Sequence, residues 1–197
     1  MSELEITRDD VGGRARVWKM APNDPKAVAI AAHRIRHPWY RCQALTRAAE
    51  FSNGPRRSAL LDSAFEAARE QREPNRIVTV SSWPIRVLAG FSPERTAELI
   101  GDLVKIAETE PHNLRRAHAL QMLAFSISSQ PELLRLIVPA MVATVLGGGG
   151  YRMDRVIRDI FEMVRASNPE LLGALALHHK PGNQQKKLLD SISEPSP

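Results

Sequence analysis

Cys42 beside Arg41, the pair His178-His179, and His118 within a run of alanines and leucines are the side chains of this chain best suited to reaction chemistry. A thiol next to a guanidinium can be held as a nucleophilic thiolate, but Cys42 runs into an alanine-leucine stripe, where a small buried side chain is the expected role. Adjacent helical histidines diverge by about 100°. No cysteine or carboxylate stands at ligand spacing from His178 and His179, so a solvated helix end is expected there and no metal site. His118 has no acid or nucleophile beside it, which favours recognition or packing over proton transfer. The run Gly147 to Gly150 lacks the following Lys-Ser/Thr of a phosphate loop and reads as a flexible connector. No catalytic set and no cofactor is assigned. What is left is recognition, by arginines and by Trp39 and Trp83, whose rings suit stacking on a peptide or a base, with Trp83 expected on a groove.

The elements that position these groups follow from composition and spacing. The chain has 197 residues, 43% hydrophobic and 25% charged, with 5% aromatic and abundant alanine and leucine, a mixture that favours helix over sheet. A single cysteine excludes an internal disulfide and points to a reducing compartment. The opening MSELEITRDD is acidic and polar, unlike a secretory signal. The longest apolar run, LIVPAMVATVL, has 11 residues against the roughly 20 that span a bilayer. A cytoplasmic protein without membrane contact is expected. The formal net charge of +5 would interest a polyanion but falls short of a dedicated nucleic-acid arm.

A period organises the chain. Leu60-Leu61, Ala64-Phe65 and Ala68 recur as Leu99-Ile100, Leu103-Val104 and Ala107, then as Leu136-Ile137, Ala140-Met141 and Thr144, and in part as Leu172, Leu175 and Ala176, in steps of 39, 37 and 36 residues. A second set interleaves with steps of 40, 35 and 37: Ala44-Leu45 and Ala48-Ala49, Pro84-Ile85 and Leu88-Ala89, Ala119-Leu120 and Leu123-Ala124, Val156-Ile157 and Ile160-Phe161. Apolar residues at i, i+1, i+4 and i+5 make one broad stripe on a helix. Neither set can bury its stripe alone, and stacking pairs side by side does. Helices are predicted over 25–35, 38–51, 56–72, 75–91, 93–109, 112–127, 131–146, 151–165 and 169–178, with prolines near many of their starts. The polar ends, 1–24 and 179–197, read as a mobile segment and a disordered tail flanking a repeat domain over 25–178.

The turn and second helix in EPHNLRRAHALQMLA, with Arg116, Ala119 and Leu123 at R-x-x-A-x-x-x-L spacing, resemble a HEAT repeat, and Arg41, Ala44 and Ala48 in HPWYRCQALTRAA resemble a weaker copy. Ser81 and Met153 depart from the arginine column. The resemblance implies an all-α, right-handed α-solenoid of about four antiparallel helix pairs plus a terminal helix, with the second helices lining a concave side. Geometry then places Gln43, Trp83, His118 and Arg155 in one column of that side and Thr46, Arg86, Gln121 and Arg158 in the next. The second helices carry ten arginines against four acids, whereas the three middle first helices carry seven bases against ten acids, so the groove is expected to be basic. SSWPIR, Ser81 to Arg86, falls inside one repeat, where Pro84 either kinks a helix near Val80 or follows a serine cap that starts a new one.

The expected role is a non-enzymatic interaction or scaffold module that binds an acidic protein or peptide through Arg41, Gln43, Arg47, Trp83, Arg86, Arg116, His118, Gln121, Arg155 and Arg158. The alternative is nucleic-acid backbone binding, as implied by similarity to HEAT-like alkylpurine DNA glycosylases, although neither Trp39 nor Trp83 has an aspartate one turn away. Self-association is the third, through the stripe Leu171, Leu172, Leu175 and Ala176, which no further repeat covers unless the C-terminal tail folds back as a cap.

Overall fold

A computed structural model describes residues 5–193 of the chain. Twelve α-helices and one 3₁₀ turn account for the regular structure among the described residues, with no strand. No helix among them is long and apolar enough to cross a membrane. The chain divides between Thr96 and Ala97 into two compact units.

The first unit contains α1 (Arg8–Met20), α2 (Pro25–His33), α3 (Pro38–Glu50), α4 (Gly54–Arg69), α5 (Pro74–Leu88) and the start of α6 (Pro93–Glu108). Pro25, Pro38, Pro74 and Pro93 each occupy a first helical position, where the missing N–H deprives the helix of no bond. Asp24 adds a cap by accepting from the Ala27 amide at 3.0 Å. α3 packs against α4 and α5, which also pack on each other. The predicted stripes meet there: Ala44, Leu45, Ala48, Leu61, Ala64, Phe65, Ile85 and Leu88 are all buried.

The second unit contains the rest of α6, then α7 (Asn113–Ser126), α8 (Pro131–Leu134), α9 (Val138–Leu146), α10 (Tyr151–Ser167), a 3₁₀ turn (Pro169–Leu171), α11 (Leu172–His178) and α12 (Asn183–Ser193). α7 lies on α9, and α10 on α7, α8, α9 and α11. Ala119, Leu120, Leu123, Ala124, Val156, Ile157, Ile160 and Phe161 are buried as their spacing requires.

Four expectations are corrected. The N-terminal segment read as mobile is helical over Arg8–Met20: Thr7 and Asp10 form a capping box, and Val17 is buried. The tail read as disordered is helical over Asn183–Ser193 and packs on α11. Leu172, Leu175 and Ala176 are buried within this unit, so the stripe expected to serve self-association lies covered. The single helix expected over 131–146 is broken into α8 and α9, because Pro139 has no N–H for the Arg135 carbonyl and the chain passes through tighter bonds, Leu136 to Leu133 and Ile137 to Leu134.

Pro84 behaves differently. It is buried inside a continuous α5 that begins at Pro74, which excludes a new helix starting at Ser81 or Ser82. The Val80 carbonyl, which a residue other than proline at 84 would satisfy, receives the Cys42 thiol of α3 at 3.6 Å. A sulfur donor on the neighbouring helix thus replaces the bond that the proline removes.

Candidate interaction faces on the second helices

Cys42 and the histidine pair take structural roles. Burial pushes the Cys42 thiol far above its ordinary range, against smaller opposing effects of Thr46 and Arg41, so it is held as a thiol, unfit as a nucleophile at neutral pH. The solvated helix end expected at His178-His179 is corrected. His179 is buried and its Nε2 accepts from the Arg158 guanidinium at 2.8 Å, which places the proton on Nδ1, facing the Lys180 carbonyl at 2.9 Å. His178 Nε2 donates to the Gly148 carbonyl at 2.7 Å, and Asn113 Nδ2 donates to that of Gly147 at 2.5 Å. The tetraglycine connector is therefore held from α7 and α11. Among the described residues no group of His, Cys, Asp and Glu has metal-binding geometry.

In the first unit the side chains expected to line a groove are engaged by neighbours. Gln43 is buried and its Oε1 accepts from Arg14 of α1 at 3.0 Å. Trp83 is half-buried, neither free on a groove nor in the core: Trp18 of α1 meets it edge to face, with ring centres 5.6 Å apart. Arg47 lies over Trp18 at 5.7 Å and over Phe51 at 4.5 Å, and Arg86 lies 5.9 Å from the Trp83 ring. Both arginines share Glu50 as their carboxylate. Thr46 is buried, with its hydroxyl returned to the Cys42 carbonyl. Arg41 pairs with Glu70 and donates to the Ile35 and Arg36 carbonyls at 3.2 and 2.9 Å, clamping the chain that leaves α2. The arginines expected to line a basic groove here are thus each paired with a carboxylate, Arg47 and Arg86 with the same one.

The anchor of α1 is Asp10. Its Oδ2 accepts from the Thr7 hydroxyl at 2.6 Å and the Thr7 amide at 3.0 Å; its Oδ1 accepts from the Arg36 and His37 amides at 3.0 and 2.9 Å. Burial raises the carboxyl's pKa, but these four bonds outweigh it and hold it at about 2. His37 is pushed below its ordinary 6.5 by burial, with Asp10 opposing and Arg41 reinforcing the shift. Sequence reasoning missed Asp10, Arg14 and Trp18. The T-x-x-D spacing before α1 was the available signal.

In the second unit the face is open. His118 is exposed, its Nδ1 3.3 Å from Gln121 Oε1; the buried Gln121 donates to Asp159 of α10 at 3.4 Å; and Asp159 lies 3.8 Å from Arg155, whose side chain is 70% exposed. Beside this chain, one stripe of α7 presents Met122 and Phe125, 44% and 42% exposed. Arg116 and Arg158 do not join it. Arg116 is half-buried and donates to Asn113 at 3.0 Å, and Arg158 is half-buried and committed to His179.

Compared with known proteins, the chain matches no family model, no curated protein and no solved structure.

Proposed function

We propose that this chain is a HEAT-like helical-repeat interaction module and that the face of α7 and α10 receives an acidic, amphipathic segment of a partner protein. The solenoid reading is supported by contacts that recur near one repeat period: Cys42 with Val80 and Gln121 with Asp159 at 38 residues, Arg86 with Glu50 at 36.

The observation that carries the binding role is the difference between corresponding faces. On α3 and α5 the face is occupied by a helix of the same chain, which sets Trp18 against Trp83 and Arg14 on Gln43. In the other unit it exposes Met122 and Phe125 of α7 and Arg155 of α10, two helices that pack on each other. An incoming helix would cover the two apolar side chains and bring a carboxylate to the guanidinium. Nucleic acid stands second, because Arg41, Arg47 and Arg86 are engaged by glutamates and offer less free charge to phosphates.

The test places a photo-crosslinking residue at position 122 and identifies the captured peptides, with Phe125→Ala and Arg155→Glu as comparisons. Acidic helical segments should be captured by the unsubstituted face and lost from both variants while helicity is retained. Capture that is indifferent to both substitutions would remove the proposal.

A further inference from the structure

The geometry points to a second site, independent of the α7/α10 face: a cleft between α1 and the end of α2 that binds the diphosphate or longer oligophosphate group of a small soluble molecule. The cleft holds about 460 Å³ and is lined by Arg8, Arg16, Arg34 and Arg36. All four are exposed. Two carboxylates also line it, Asp9 and Asp10, the latter with its oxygens engaged by four internal bonds, so four guanidinium groups face two carboxylates.

The number of guanidinium groups selects the ligand. Arg8, Gly12 and Arg16 stand at i, i+4 and i+8, so they follow one face of α1 with a bare backbone between the two arginines. At 1.5 Å per residue those arginines start about 12 Å apart. Arginine side chains can bridge that gap, but four guanidinium groups hold more donors than one orthophosphate has oxygens to accept, so a linear chain of two or three phosphates engages more of them. Arg34 and Arg36 supply the opposite wall.

Gly12 has no packing reason to be glycine. A Cβ built there meets nothing within 4 Å, whereas one at Gly13 would press on Ile35 at 3.1 Å. Glycine is disfavoured inside a helix. At position 12 it keeps the floor low between the two arginines, where a bridging anion would lie close to the backbone; at position 13 it serves the approach of α1 to Ile35. The forked guanidinium groups then give bidentate contacts to phosphate oxygens.

The experiment is calorimetric titration of the full chain with inorganic orthophosphate, pyrophosphate and tripolyphosphate at low salt. Affinity should rise along that series. The double variant Arg16→Gln/Arg34→Gln should bind pyrophosphate at least tenfold more weakly, and Gly12→Ala several-fold more weakly with a melting temperature no lower than that of the parent. Arg69→Gln, an exposed arginine of α4, should bind as the parent does. Absence of pyrophosphate binding at millimolar concentration, equal affinity in the Arg16/Arg34 variant, or an equal loss in Arg69→Gln would overturn the assignment. None of these outcomes bears on crosslinking at position 122.

Discussion

Replacing Asp10 by asparagine tests whether α1 is held by a charged cap or merely lies against its neighbours. In the native chain four donors converge on the carboxylate, two of them amides from beyond α2. Asparagine keeps one acceptor for the Arg36 and His37 amides, but turns an NH₂ group toward the Thr7 amide and hydroxyl. The displacement of the carboxyl from 3.8 to about 2 corresponds to about 2.5 kcal/mol favouring the ionised form. Asp10 is only 3% exposed, yet it sits at the rim where α1 begins, and solvent nearby reduces the effective figure to about 1–2 kcal/mol. The sign is fixed by the direction of the shift. A depressed carboxylate contributes fully above its unfolded value near 4 and loses that contribution as pH falls toward about 2. His37 acts in a different window: a histidine held below 6.5 resists the proton that the unfolded chain accepts, so stability declines as pH falls through 6.5. Removing the Asp10 charge also removes the influence that raises His37, which deepens that decline. All three tryptophans, Trp18, Trp39 and Trp83, lie in the first unit, so urea unfolding followed by tryptophan fluorescence isolates it. Asp10→Asn should lose about 1–2 kcal/mol at pH 7, fall more steeply as pH drops below 6.5, and flatten between about pH 4 and 2. A variant as stable as the parent at pH 7, with a parallel pH profile, would refute the account.

Cys42→Ala should destabilise the first unit by about 1–2 kcal/mol, through a small cavity and the lost partner of the Val80 carbonyl. In a Pro84→Ala background the restored amide takes that carbonyl, so the penalty should shrink by about 0.5–1 kcal/mol in a double-mutant cycle; equal penalties in the two backgrounds would show that thiol and proline are not coupled. Glu50→Gln releases Arg47 and Arg86 together, and because these pairs lie near the surface it should lower stability by less than about 1 kcal/mol, a difference that narrows in high salt. A salt-insensitive loss above about 2 kcal/mol would contradict that screened, near-surface picture.

The helices were legible because their evidence is repeated and local. The broad stripes and the prolines at first turns place eight of the nine predicted helical segments within a few residues of where they form, and the ninth, 131–146, forms as two helices. α1 was not, because its two central glycines and sparse apolar content argue against a helix, each glycine by about 1 kcal/mol relative to alanine. Its support is tertiary: Val17 in the core, Trp18 on Trp83, and Asp10 bound to amides 26 and 27 residues away. The two interior prolines make the same point. Pro139 breaks its helix and Pro84 does not, and the deciding group near Pro84 is Cys42, which no pattern around SSWPIR reveals.

The pairing of arginines expected to line a basic groove follows the predicted period. Counting arginines on the predicted second helices takes no account of partners, yet several of these side chains meet others about one predicted period along the chain. Arg86 finds Glu50 at that distance, and Gln121 finds Asp159. Arg41 reaches the acid-rich first helices and pairs with Glu70, 29 residues on. One period before Arg155 stands His118, not an acid, and its own helix offers only Asp159 at 3.8 Å, which is already shared with Gln121. Arg155 therefore stays loosely paired at the surface, whereas Arg86 shares the Glu50 carboxylate with Arg47. Of Arg41, Arg47, Arg86 and Arg155, Arg155 is the most exposed and lies farthest from its carboxylate, at 3.8 Å, and the proposed binding role rests on α7 and α10 for that reason.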